Sequence, residues 1–180
     1  MRWVKYKQVI ENFFSLSILN ALNVLLPLVT LPYMLHVVGK ANYGAYSYVY
    51  AVVQYVILFS TYGFNFSATK QISQCRDDKE KVSKIYDAVT ASKTLIALSL
   101  SVLLLLCAKL VFKDGVGTLM FVYGLGMVVG DVLTPIWLFQ GMEKMKYMTI
   151  VNASSKILFT ILIFIVVRAS EDYQLLILLN

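Results

Sequence analysis

The sequence predicts an all-α polytopic membrane protein with five complete transmembrane helices and the start of a sixth. Three observations carry this expectation. Hydrophobic residues make up 59% of the 180 positions and charged residues only 14%, where a soluble domain carries about 25% charge. Apolar runs near the roughly 18 to 20 residues that cross a bilayer recur along the whole chain. Lys and Arg gather in the short segments between those runs, which is how bases distribute around membrane spans. The net charge of +6 therefore reflects topology, and nucleic acid is not an expected partner. Alternating segments of about ten residues, the mark of a membrane β-barrel, are not visible.

Span one runs from about Asn12 to Val38. The preceding Met-Arg-Trp-Val-Lys-Tyr-Lys leads into a run too long for a signal-peptide core and without a small-x-small cleavage site, so it reads as a retained first span. Ser17, Asn20, Asn23, Pro27 and Thr30 fall three and four residues apart and share one helical face. Unsatisfied amides in hydrocarbon cost several kcal/mol, so such a face turns to other helices as hydrogen-bonding glue or to a wet cavity. Pro27 and Pro32 each free a backbone carbonyl and permit a bend.

A tight turn is expected at Gly39-Lys40-Ala41-Asn42, then span two from about Tyr43 to Asn65 with Tyr43, Ser47, Tyr50, Gln54 and Thr61 on one face. Tyr43 and Tyr62 lie near its ends, where aromatic rings usually belong to the interfacial belt. Tyr50 and Gln54 are deep enough to be substrate contacts. From Phe66 to Lys84 the chain turns polar, a cytoplasmic loop candidate with room for a short interfacial helix. Span three runs from about Tyr86 to Val111 with Lys93 near its start, placed either to snorkel to the headgroups or to face inward toward substrate. Phe112 to Gly117 forms a loop containing Lys113 and Asp114.

Span four, from about Thr118 to Gln140, carries Gly126-x-x-x-Gly130, which would let a neighbouring helix approach, then Asp131, Thr134, Pro135 and Trp137. Span five, from about Tyr147 to Val167, carries Asn152, Lys156 and Thr160 at four-residue spacing. Lys156 lies roughly 14 Å along that helix, too deep for easy snorkelling. After the polar break at Arg168 an apolar run restarts over 173–180, and the chain reads as a fragment or truncated frame that stops inside a sixth span. Arg2, Lys5, Lys7, the bases of the Phe66–Lys84 loop, Lys144 and Lys146 fall on one side. Lys40, Lys109, Lys113 and Arg168 fall on the other. The more basic side, with the N-terminus, is expected in the cytoplasm.

No phosphate-cradling G-x-x-x-x-G-K-[ST] is present. His36 is the single histidine, Cys75 and Cys107 have no metal or disulfide spacing, and no Ser-His-Asp or Cys-His set can be assembled. Neither a metal, a cofactor nor an enzyme activity is expected. The deep charges remain. Each would cost roughly 2.5 to 3.5 kcal/mol in hydrocarbon, so Asp131 and Lys156 either neutralise each other as a structural pair or line a watery cavity. In a cavity Lys156 would attract an anionic substrate group, and Asp131 could hold a coupling proton or sodium ion.

The run Leu31 to Tyr48, L-P-Y-M-L-H-V-V-G-K-A-N-Y-G-A-Y-S-Y, resembles the first hairpin of bacterial polysaccharide flippases. These form the O-antigen, Wzx-type branch of the multidrug/oligosaccharidyl-lipid/polysaccharide exporter superfamily. Gly63-Phe-Asn-Phe-Ser-Ala-Thr69 with Arg76-Asp77-Asp78 resembles it too, as does Pro135-x-Trp137-x-Phe139-Gln140-Gly141-x-Glu143-Lys144 followed by Lys156. The resemblance implies a MATE-like helical bundle of two six-helix lobes around an alternately opening cavity. Residues 1–180 would supply most of the N-terminal lobe. It also implies flipping of undecaprenyl-pyrophosphate-linked oligosaccharide across the bacterial inner membrane for O-antigen or other surface polysaccharide, with membrane lipids, a coupling proton or sodium ion, and polysaccharide polymerase and chain-length proteins as partners. On this reading Lys156 and Lys93 contact the anionic substrate, Asn20, Asn23, Tyr50, Gln54 and Asn152 line the cavity, and Asp131 is an ion-coupling or ion-pair residue. A cation-coupled drug exporter of the same superfamily and a non-transporting fragment are the alternatives. Reliance on a single deep acid counts against the exporter.

Overall fold

The computed structural model describes residues 2–112 and 116–179, with the side chains of 2–12, 15, 16 and 116 left aside. The expected loop residues Lys113 and Asp114 lie outside the described residues. Described residues form helices α1 (Arg2–Val37), α2 (Gly39–Thr61), α3 (Phe64–Gln74), α4 (Lys79–Val111), α5 (Val116–Leu133), α6 (Ile136–Gly141), α7 (Met145–Val166) and α8 (Leu175–Leu179), with a 3-10 turn over Ser170–Gln174 before α8. Among the described residues, five stretches are long and apolar enough to cross a membrane: Ser17–Val37, Gly39–Gln74, Lys79–Val111, Gly117–Gly141 and Met145–Val166. Large apolar side chains such as Leu25, Leu98, Leu110 and Ile150 point outward, as expected where lipid replaces water as the solvent.

Helix α2 is central and packs on α1, α4 and α5, while α1 lies along α7. The main core gathers Val49, Val53, Ala97, Phe121, Val128, Ile163 and Leu176. The close approach of α5 falls at Gly124, where a Cβ would sit 2.6 Å from Val53 Cγ2, and not at Gly126 or Gly130, where nothing lies within 4 Å. The expected small-residue seam is thus displaced by half a turn, onto the face that meets α2.

Element boundaries differ from the sequence reading where polar residues obscure a helix. The turn expected over Gly39–Asn42 shrinks to the joint at Val38, and Gly39 at φ +79° opens α2 directly. Helix α4 starts at Lys79, about two turns before Tyr86, because the Asp78 carboxylate caps Lys81 N–H at 3.2 Å and Lys84 pairs with Glu80 one turn along. The predicted span four is broken into α5 and α6 at Thr134 and Pro135. Proline supplies no N–H and crowds the carbonyl four residues back. In α1, by contrast, Pro27 and Pro32 sit inside one continuous helix.

At one end, α3 and α6 pack around a second, separate cluster of Ala68, Ile72 and Trp137. Gly141 makes that contact possible, since a Cβ there would meet Ile72 Cβ at 2.6 Å and the Thr69 carbonyl oxygen at 3.0 Å. Thr69 Oγ1 donates to Trp137 O at 3.2 Å, and Arg76 closes on Glu143 at 2.8 Å. That hydrogen-bonded pairing holds the Arg76 guanidinium above its ordinary pKa. At the opposite end, Tyr33 Oη donates to Val167 O at 2.8 Å and Asn42 Nδ2 to Ser170 O at 3.0 Å, tying α1 and α2 to the exit of α7.

Candidate functional site

The deep charges do not form the Asp131–Lys156 pair that was one of the two arrangements open from the sequence. Lys93 is buried, 4% exposed, and its ammonium lies 2.8 Å from Asp131 Oδ2 and donates to the Asp131 backbone oxygen at 2.9 Å. Asp131 precedes Pro135 by four residues, so its carbonyl is the one Pro135 deprives of a helical N–H. One lysine therefore neutralises a carboxylate and caps the carbonyl left open by the helix break. Of the two orientations open to Lys93, the structure shows it turned inward, buried against Asp131. Asp131 does not pair with Lys156.

Lys156 instead donates to Asn23 Oδ1, joining α7 to α1. Lys156 lies on the wall of a cavity of about 280 Å³ between α1, α2 and α7. Its wall includes Thr30, Tyr43, Tyr46, Ser47, Tyr50 and Lys156. A second cavity of about 580 Å³ lies between α2, α5, α7 and α8, with Gln54, Asp131, Thr134, Asn152 and Ser155 on its wall. A smaller space of about 320 Å³ brings Asn152 and Ser155 together with Lys156. The α7 face carrying Asn152 and Lys156 thus borders all three.

The residues singled out from the sequence fall into distinct places. Tyr50 and Lys156 share the first cavity, and Gln54, Asn152 and Asp131 share the second. Asn23 holds Lys156, while Asn20 is exposed on α1 one turn earlier. Lys93 lines neither of these cavities and serves Asp131. Tyr46 was missed, although its spacing of three from Tyr43 and four from Tyr50 places it on their stripe. Two hydroxyls of α4 are satisfied within the helix: Thr94 Oγ1 donates to Thr90 O and Ser99 Oγ to Leu95 O. Such back-bonding satisfies a hydroxyl without a cavity or partner helix. Among the described residues, no three His, Cys, Asp or Glu side chains come together as metal ligands.

Comparison with known proteins places this arrangement in a family. Residues 9–179 match the family described as "Polysaccharide biosynthesis protein". A curated protein of Escherichia coli (strain K12), named "Putative O-antigen transporter", is 35% identical over 162 residues, covering 90% of this chain and 39% of that protein. A protein of the same name from Shigella dysenteriae is 29% identical over 163 residues, covering 90% of this chain and 40% of that protein. The chain thus spans about two fifths of the length of these relatives. No solved structure matches it.

Proposed function

The chain belongs to the polysaccharide biosynthesis protein family, and from that premise we propose that it forms the N-terminal lobe of a flippase for lipid-linked oligosaccharide. The cargo is an undecaprenyl-pyrophosphate-linked repeat unit, moved by alternating access from the cytoplasmic to the outer leaflet of the inner membrane for O-antigen or related surface polysaccharide. The observation that carries the reading is the placement of Lys156. Its ammonium is anchored by Asn23 on the wall of a cavity rich in hydroxyl and aromatic groups. An ammonium is a strong point charge for phosphate, and its attraction grows where protein and lipid lower the local dielectric. The carbohydrate meets the hydroxyl groups of the wall while the polyprenyl tail stays in the bilayer.

The Lys93–Asp131 pair supplies structure to this site. It fixes α5 against α4 at the helix break and leaves Lys156 as the cation at the cavity wall. Engagement of Asp131 by Lys93 also weakens the case for a cation-drug exporter, which would rely on an acid.

The test is Lys156→Ala and Lys156→Arg at the native locus. Loss of surface polysaccharide in the alanine variant, with the protein still present in the membrane, and partial retention in the arginine variant are expected. Normal polysaccharide in the alanine variant would remove the assignment. Resistance to organic cations conferred by the protein, with polysaccharide unchanged on deletion, would point to the exporter.

A further inference from the structure

Tyr43, Tyr46 and Tyr50 form a ladder along one stripe of α2, and we propose that this ladder is the platform on which sugar rings of the transported lipid lie, with the phosphates held at Lys156. The inference rests on the transport reading above and adds an orientation to it.

Successive rings are in contact, with centroids 5.7 Å apart between Tyr43 and Tyr46 and 5.9 Å between Tyr46 and Tyr50, tilted by 45° and 31°. All three line the same cavity as Lys156. Tyr46 is buried at 7% exposure and sits between the half-buried Tyr43 and Tyr50. An interfacial belt does not account for the set. Tyr50 lies eleven residues after the start of α2, about 16 Å along the axis. That is near the middle of a hydrocarbon core of about 30 Å, whereas belt tyrosines sit at headgroup level. Deep tyrosines on a cavity wall offer an apolar ring and a hydroxyl to whatever enters.

A sugar ring matches both. Its face of C–H groups is weakly positive and rests on the negative face of an aromatic ring. Its hydroxyls can exchange hydrogen bonds with the hydroxyls of Tyr43, Tyr50 and Ser47 on the same wall. Tyr43 to Tyr50 spans about 10 Å along the helix, room for a short run of rings. The cavity of about 280 Å³ lies at the small end of ligand sites, so it holds the first sugars of the glycan and not a whole repeat.

The orientation follows from depth. Lys156 lies eleven residues after the start of α7, about 16 Å in from the opposite end to that from which α2 enters. Lys156 and Tyr50 therefore meet near mid-depth, and the ladder continues from there toward Tyr43. The phosphates sit at mid-depth and the glycan points toward the end where α2 begins.

The test measures binding by the protein, purified in lipid nanodiscs, of two probes: undecaprenyl pyrophosphate and the same lipid carrying its oligosaccharide. Tyr43→Leu and Tyr50→Leu are each expected to weaken the glycosylated probe by about 3- to 10-fold, the range of one aromatic contact, and to leave undecaprenyl pyrophosphate unchanged. Tyr50→Phe keeps most of the affinity, and Lys156→Ala weakens both probes. Equal losses for both probes in the leucine variants would mark a structural role and overturn the platform, as would no loss for either. If the unaltered protein binds both probes equally, the glycan has no platform here, though the transport reading stands. If it binds neither, the transport reading falls and the platform with it.

Discussion

Lys93 illustrates how one side chain can answer two local deficits. Pro135 removes the N–H that would have bonded to the Asp131 carbonyl, and Asp131 itself brings a charge into a helical bundle; the Lys93 ammonium meets both oxygens at 2.9 and 2.8 Å. Breaking a buried ion pair from one side is costly because the other charge is stranded. Lys93→Met should therefore lower stability by about 3–5 kcal/mol, read as a fall in the thermal midpoint in detergent. Lys93→Met combined with Asp131→Leu should lose much less. A double variant as unstable as the single would show that the carbonyl cap, and not the charge pair, dominates.

A second residue-scale expectation concerns Asp172. Its carboxylate accepts the Arg168 and Ala169 backbone N–H groups at 2.9 and 2.8 Å, which hold its pKa below the usual carboxylate range. A folded pKa below the unfolded value of about 3.9 means that the stabilisation is complete above that value. It is lost as pH falls through the folded pKa. Hydrogen-exchange protection of the Arg168 and Ala169 amides should drop across that acidic window and become insensitive to it in Asp172→Asn.

At the scale of elements, the glycines separate close packing from mere small size. Gly141→Val forces a branched side chain against Ile72 and the Thr69 carbonyl, and overpacking of this kind costs about 1–3 kcal/mol. Adding Ile72→Ala should recover part of it. Gly126→Ala meets nothing within 4 Å and should be neutral, or stabilising by up to about 1 kcal/mol through helix propensity. Thermal unfolding of the variants checks both. The sequence pattern pointed to Gly126 and Gly130, where an added Cβ would meet nothing within 4 Å among the described residues, because i, i+4 spacing records that two glycines share a face but not which helix that face meets. The same limit hid the Lys93–Asp131 contact. Residues 38 positions apart in the chain leave no periodic trace, whereas the hydropathy of each span did. The break at Pro135 was open to inspection as a proline, but Pro27 and Pro32 show that proline in an apolar run need not end a helix.

For the whole molecule, the number and order of the spans were legible because lipid demands long apolar helices, and five of them are present among the described residues. The helical ends were less so, since Lys79 to Lys84 reads as a polar loop until the Asp78 cap and the Glu80–Lys84 pair make it helix. The cavity was legible only in part. Tyr50 and Lys156 stood out by depth, but their convergence depends on α1 lying along α7 and α2, which no local pattern encodes. Family membership is what supports the proposal that this cavity serves polysaccharide export.

The leaflet distribution of lipid-linked repeat units after deletion of the gene decides whether the protein flips them. Intact cells whose outer membrane has been opened would be probed with a membrane-impermeant sugar-modifying reagent. For the proposed flippase, the repeat units should accumulate on the cytoplasmic leaflet and be protected from the reagent, with surface polysaccharide lost and restored by the unaltered gene but not by Lys156→Ala. Repeat units that reach the outer leaflet at the normal rate without the protein would contradict the proposal.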